Sequence, residues 1–397
     1  MALTLIADKI VKGKIYPAFA PHEGRPFTQS WREFGSHWPY TIPLRLQEYC
    51  DHHEVPLNIV GLHDTWPADA VYPVGLGFFD FAIDYFELLP ERVMTELWWS
   101  HIRILFYYHE GDNPERIKQR LDALVKQHQL PLKCYVFVSA NTAAHDLPGF
   151  VYFNDFELWY YQRNHNVAPL EIHNQPRSKD FTALVRLHKP WRAMAMADLH
   201  RTQLLNNSYW SYCETVTEPV DFTQSPIEID SIENLRESTQ LFLSQTPYVS
   251  DELSNNERNN HSMTVPKYHV DSYCNIVFET HFDADQSGGV FLTEKTFKPI
   301  KHGQLFFIAG GAGSLQVLRD MGYRTFDSVL DNRYDREPDN TMRWIKLSEA
   351  IAQAHTQGLS TLFEQCREDI KYNQHLFMQI KTSRLNTLIE QINEQHR

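Results

Sequence analysis

The sequence predicts an α/β protein with two cores, each a layer of parallel strands covered by helices. Three observations predict it. Strand-sized apolar runs alternate with helical stretches, 397 residues exceed what one core ordinarily holds, and 42% hydrophobic residues suffice to fill two.

Taken in order, residues 58–62, 103–108, 134–139 and 151–153 read as strands, being short, apolar and bounded by turn residues. Between them, residues 114–128 read as a helix. Asp112-Asn113-Pro114 signals its start, and Ile117, Leu121, Leu124 and Val125 form one apolar stripe suited to covering a parallel sheet. Residues 169–179 are polar, carry two prolines and lack periodicity, which marks a linker. The first domain is therefore 1–175 and the second 180–375. Residues 244–261 read as a polar surface loop, and 340–397 is helical in pattern. The last stretch, 376–397, is expected to pack back on the first domain.

The most informative segment runs from Tyr273 to Pro299. Residues 275–279 form an interior strand, a polar loop ends at Gly288-Gly289, and Thr293 is a good N-cap for a helix with Glu294 and Lys295 in its first turn. A helix N-terminus carries free N–H groups and partial positive charge, so Lys295 beside it makes an anion site and Glu294 an acceptor for vicinal hydroxyls. Phosphates and a ribose suit that pair. As ordinary surface, the same doublet is worth only about 0.3–1 kcal/mol. A second unit follows: strand 304–309, the turn Gly310-Gly311-Ala312-Gly313, and helix 314–321 stopped by Gly322. The dinucleotide fingerprint is not spelled, because Gln316 stands where its last glycine would fall, and no phosphate-loop Lys-Ser/Thr is present. Gly311 and Gly313 are accordingly read as closely approaching backbone.

Asn275-Ile-Val-Phe-Glu279, Thr293-Glu294-Lys295 and the apolar strand after Gly303 resemble the donor-binding core of the α1,3-fucosyltransferases and their bacterial and phage relatives. Upstream, 181–192, which ends Lys-Pro-Trp-Arg192, is similar to that family's strand and Pro-x-Arg turn. The resemblance spans roughly 180–335. It implies two Rossmann-like domains facing across a cleft, the GT-B architecture. It further implies Arg192 and Lys295 on the donor diphosphate and Glu294 on the ribose, with Thr293, Asn275, Gly311 and Gly313 completing the donor side. The expected activity is transfer of a sugar from a nucleotide-sugar to a hydroxyl of a glycan or polysaccharide, inverting and metal-independent, with the nucleotide-sugar as co-substrate and no other cofactor. Two alternatives stay open: a phage DNA-modifying glycosyltransferase acting on a hydroxymethylated base, and a non-catalytic nucleotide-sugar binding protein.

Such transfer needs a base, and ligands gather at the carboxyl ends of parallel strands. Strand 104–108 is followed there by His109-Glu110-Gly111. Glu110 also matches the family's Phe-Tyr-x-Gly-Glu element, with His109 where the family has Gly. His109 and His63, the latter in the similar segment 61–65, compete as bases because imidazole titrates near neutrality. The alternative to a cationic clamp is a divalent metal held by Asp283-Ala-Asp285. Twenty histidines show no His-x-x-x-His spacing, and no metal site is expected. A net charge of −13 disfavours nucleic acid, although Lys295, Lys298 and Lys301 allow a local basic groove. The absence of a long apolar run or a signal peptide pattern leads us to expect a soluble, cytoplasmic protein with no membrane span, and five scattered cysteines read as reduced thiols.

Overall fold

The computed structural model describes residues 2–7, 9–11, 14–16, 44–77, 79–164, 168–172, 175–216, 220–249, 264–283, 287–379 and 381–395. Asp285, most of the polar stretch 244–261 and part of the 169–179 segment lie outside them. The chain forms two compact units. The first comprises Met1–Leu158, Gln286–Gly289 and Ile380–Arg397, and the second Trp159–Asp285 and Val290–Gln379. Each contains a parallel sheet, and 13 helices occur among the described residues.

The first unit contributes β1 (Leu3–Ala7), the antiparallel pair β2 (Lys9–Val11) and β3 (Lys14–Tyr16), α1 (Arg45–His52), β4 (Leu57–Gly61), β5 (Val71–Leu76), α2 (Glu91–Trp98), β6 (Arg103–Tyr108), α3 (Pro114–Gln127), β7 (Tyr135–Ser139) and β8 (Phe150–Tyr152). Its six-stranded sheet has the order β4-β1-β5-β6-β7-β8, all parallel. The direction of winding reverses between β1 and β5. Helix α3 buries the expected stripe, and the Asn113 side chain caps it by accepting from the N–H groups of Glu115 and Arg116. Beneath lie Tyr85, Phe86, Phe106 and Phe137, with ring centroids 5.8–6.4 Å apart around Phe106. Strand β5 escapes a sequence reading because it contains Pro73 and Gly75, residues that ordinarily demote a strand. Even so, β5 pairs with β6 along its whole length, Pro73 opposite Leu105, and meets β1 at Leu5 and Val71.

Helix α4 (Asp155–Asn164) carries the chain from the first unit to the second. Its first residue, Asp155, is buried and accepts hydrogen bonds from Tyr49 (2.9 Å), Tyr107 (2.8 Å) and Arg45 (2.5 Å), so no buried charge is left uncompensated. The second unit then runs β9 (Lys179–Val185), α5 (Pro190–Arg201), β10 (Tyr209–Tyr212), α6 (Leu235–Ser244), α7 (Pro266–Val270), β11 (Ser272–Phe278), α8 (Glu294–His302), β12 (Leu305–Ala309), α9 (Ser314–Asp320), α10 (Asn340–Gln357), α11 (Leu359–Gln365) and α12 (Arg367–Gln379). Its four parallel strands take the order β10-β9-β11-β12, so winding reverses between β9 and β11. Helix α5 is buried from Trp191 through Leu199, the pattern of a core helix. One oxygen of its Asp198 accepts from Trp344 Nε1 (2.9 Å) and Ser348 Oγ (3.1 Å), and the other forms an ion pair with Arg201 (2.6 Å).

The final helix, α13 (Lys381–Glu394), belongs to the first unit, where Arg384 Nε lies 3.1 Å from the buried Glu157 carboxylate. So do Gln286–Gly289. Asn141 Nδ2 donates to Ser287 O (2.6 Å) and to Gly111 O (3.0 Å). A Cβ on Gly288, at φ +73°, would meet Asn113 at 2.9 Å, and one on Gly289 would meet Asn141 Oδ1 at 2.5 Å. Only glycine fits at either place. Among the described residues no helix is long and apolar enough to cross a membrane.

Candidate functional site

In doubly wound sheets, ligands collect outside the carboxyl ends of the strands where the winding reverses. In the second unit that place lies between β9 and β11, and charged side chains concentrate there. Lys189 precedes Pro190, which excludes the helical conformation and holds it extended at φ −144°, ψ 142°. Its Nζ donates to Thr280 O (2.6 Å). Helix α5 starts beside it with no side-chain cap and no acidic residue in its first turn. Its peptide dipoles therefore add to the positive potential.

Arg192, 5% exposed, spends its terminal nitrogens on backbone carbonyls: Glu279 (2.6 Å), Phe278 (3.4 Å) and Leu187 (3.4 Å). Its buried Nε has no partner among the described residues. Burial pushes the guanidinium pKa down, and the neighbouring Glu279 opposes the shift. The residue staples the β9–α5 turn to the end of β11.

Glu279 organises the other side. Its fully buried carboxylate accepts from Thr293 N (3.0 Å), Thr293 Oγ1 (2.7 Å), Thr296 Oγ1 (2.6 Å) and Thr280 N (3.2 Å). Thr293 in turn caps α8 through the N–H of Lys295. Lys295 Nζ reaches Thr293 Oγ1 (2.9 Å) and Thr280 Oγ1 (3.3 Å), with Glu294 Oε1 at 3.6 Å. One turn on, burial pushes the Lys298 amine down to about 8, Glu294 opposing and Lys295 reinforcing. Lys189, Arg192 and Lys295 thus converge around Thr280, with buried Glu294 alongside.

The glycine turn behaves differently. Gly313 adopts φ +87°, which favours glycine, and α9 follows. The N–H groups of Leu315 and Gln316, where an anion would sit, donate to the Asp335 carboxylate at 2.9 and 3.2 Å, and Gly313 N donates to Asp335 O (2.7 Å). The chain supplies its own anion, and Gly311 and Gly313 shape that contact. Asn275 lies within β11, three residues before its carboxyl end, and donates to Gln304 Oε1 (3.3 Å). Gln304 also bonds His269 Nδ1 (2.5 Å) and Ser272 Oγ (2.6 Å). Asn275 is tied into this interior network, not into the cationic cluster.

In the first unit, His109 and Glu110 follow β6 at its carboxyl end. The imidazole is buried, the carboxylate side chain is 41% exposed, and His109 Nε2 lies 3.5 Å from Glu110 Oε1. Asn141, holding Gly111, fixes the turn. His63 is exposed in the turn after β4. Since β4 and β6 stand three strand spacings apart, about 14 Å, His63 and Glu110 do not form one acid-base group. Among the described residues no group of three or more His, Cys, Asp or Glu side chains could hold a metal ion. All five cysteines are free thiols.

Sequence reasoning passed over three residues of this region. Lys189 had a local signal, as the residue before a proline at a helix start. Glu279 stands in the sequence as the end of a strand and of the motif that carries the resemblance, with no role of its own assigned. Asp335 had no signal, because it lies about twenty residues from the N–H groups it caps. No protein-family model matches the chain, and no curated protein matches it.

Proposed function

We propose that the chain is a glycosyltransferase that binds a nucleotide-sugar at the carboxyl edge of the β10-β9-β11-β12 sheet and transfers the sugar to a hydroxyl of a glycan. One observation carries the reading: Lys189, Arg192 and Lys295 gather around Thr280 where the winding reverses, beside an uncapped helix N-terminus. A diphosphate fits that charge. In the GT-B arrangement implied by the sequence resemblance, the second unit holds the donor and the first supplies the acceptor side.

Lys189, Lys295 and the first N–H groups of α5 take the diphosphate oxygens, while Arg192 keeps the turn that presents them. Glu294 accepts from the ribose hydroxyls. Glu110 takes the proton of the acceptor hydroxyl as its oxygen forms a bond to the anomeric carbon. The bond from that carbon to the phosphate oxygen breaks, and the nucleoside diphosphate leaves with the electron pair. The cations are worth most at this moment, when charge develops on the leaving oxygen.

The test is a thermal-unfolding screen with UDP, GDP, CMP and dTDP, followed by a transfer assay with sugars of the preferred base. A stabilising nucleoside diphosphate and transfer lost in Glu110→Gln are expected. Stabilisation without turnover would establish a binding protein instead. No shift with any nucleotide would overturn the donor site, and transfer only to hydroxymethylated DNA would replace the glycan acceptor.

A further inference from the structure

His188 lies in the turn between β9 and α5, one residue before Lys189, and none of the roles above uses it. Three contacts fix it. Its backbone N–H donates to Glu214 Oε2 (2.5 Å), and its Nδ1 lies 2.5 Å from the Tyr212 hydroxyl, the two rings meeting nearly edge-on with centroids 6.1 Å apart. Tyr212, the last residue of β10, is itself held on several sides. It is fully buried, its backbone exchanges hydrogen bonds with Tyr248 at 2.8 and 2.9 Å, and its ring packs on Phe242 at 5.4 Å.

Counting donors assigns the proton on His188. Among the described residues His188 Nδ1 is the hydrogen-bond partner of the Tyr212 hydroxyl. The single hydroxyl hydrogen must go to that neighbour, because a buried phenol leaves no donor unused. Burial raises the Tyr212 pKa, which keeps that hydrogen in place. Nδ1 is therefore an acceptor, and the ring's own hydrogen sits on Nε2. Burial also lowers the His188 pKa, with Glu214 opposing, so the ring is neutral near pH 7. Nε2–H has no hydrogen-bond partner among the described residues.

An uncommitted N–H donor has thus been locked in one tautomer in the turn that carries Lys189 and leads into Arg192. The buried, unpartnered Nε of Arg192 is an independent sign that the turn accommodates an acceptor it does not itself contain. We infer that His188 is a phosphate-binding residue, a neutral Nε2–H donor to a phosphoryl oxygen of the nucleotide held at this edge, and that Tyr212 is the positioning residue that sets its tautomer. The inference rests on the donor site proposed above. A neutral donor grips the diphosphate without adding a fourth full charge to a crevice that must release its product.

The experiment uses the full chain and inorganic pyrophosphate and GDP as probes, titrated calorimetrically into wild type, His188→Phe, His188→Asn, Lys189→Ala and Lys295→Ala, each checked for an unchanged thermal transition. About tenfold weaker pyrophosphate binding is expected in His188→Phe, with partial recovery in His188→Asn, whose amide can still donate. Unchanged affinity in His188→Phe, with binding weakened in the two lysine variants, would overturn the His188 role and leave the site standing. Unchanged affinity in all variants would overturn the site. The ligand-free protein gives a second reading by nitrogen NMR of the His188 ring. An Nε2–H tautomer in wild type that becomes mixed in Tyr212→Phe is expected, and an Nδ1–H tautomer in wild type would overturn the relay even if a variant failed to fold.

Discussion

Helices α5 and α9 both begin at the carboxyl edge of the same sheet, and their N-termini are treated in opposite ways. The glycine turn before α9 has the sequence look of a phosphate loop, yet Asp335 fills the position an anion would take. The turn before α5 has no glycine at all, carries no side-chain cap, and is ringed by Lys189, Arg192 and Lys295. Backbone shape makes an anion site possible; whether the chain has already satisfied the N–H groups decides whether a ligand is wanted there.

The largest effect should come from breaking the α5 side. Arg192→Ala removes a buried guanidinium and strands the carbonyls of Phe278 and Glu279, so the protein should lose about 3 kcal/mol of stability in denaturant titration along with nucleotide binding. Asp335→Ala breaks the other side. It uncaps α9 and should cost about 2 kcal/mol, but nucleotide affinity at the α5 edge should survive in protein that remains folded. Loss of binding in Asp335→Ala at unchanged stability would mean the glycine turn holds the ligand after all. Lys295→Ala sharpens the contrast, since its side chain is 30% exposed and its partners are hydroxyls. Diphosphate affinity should fall about tenfold by calorimetry, with stability within about 0.5 kcal/mol of wild type.

A pH effect sets the conditions for those comparisons. Burial pushes His269 down to about 4 and His302 down to about 2, with their rings 5.0 Å apart. The unfolded chain takes up protons near pH 6.5 that the folded chain refuses, so stability is full above that pH and declines below it. Between pH 7 and 6 the loss should be about 0.7 kcal/mol for each imidazole, steepening toward about 1.4 kcal/mol per pH unit below. Thermal unfolding across pH 5–8 measures it, and a flat profile would show that the two imidazoles take up protons in the folded chain as readily as in the unfolded one.

What the sequence disclosed follows from how local each signal is. Asn113 capping α3 and Thr293 capping α8 are contacts between near neighbours, and both are readable as a cap residue before an apolar stripe. The same locality brings Thr293, Glu294 and Lys295 together. Arg192 joins them through carbonyls 86 and 87 residues away, which only the fold provides. Strand β5 was hidden by Pro73 and Gly75, and it forms because its pairing with β6 runs from Val71 to Leu76 through both, a long-range contact no local pattern reveals. Asn275 looked like part of the donor motif, but within a strand the residue's height along the sheet decides its surroundings. Three residues short of the edge, it meets Gln304.

The glycine pair at 288 and 289 bears on the order in which the molecule is completed during synthesis. The first unit is encoded first, yet Ser287 and Gly289 fill the cradle of Asn113, Asn141 and Thr142, and α13 supplies the arginine that neutralises Glu157. A nascent chain of 158 residues has its six strands but lacks both of these. The half that leaves the ribosome first is thus the half finished last, and a fragment cut at Leu158 should be less stable than its intact sheet suggests.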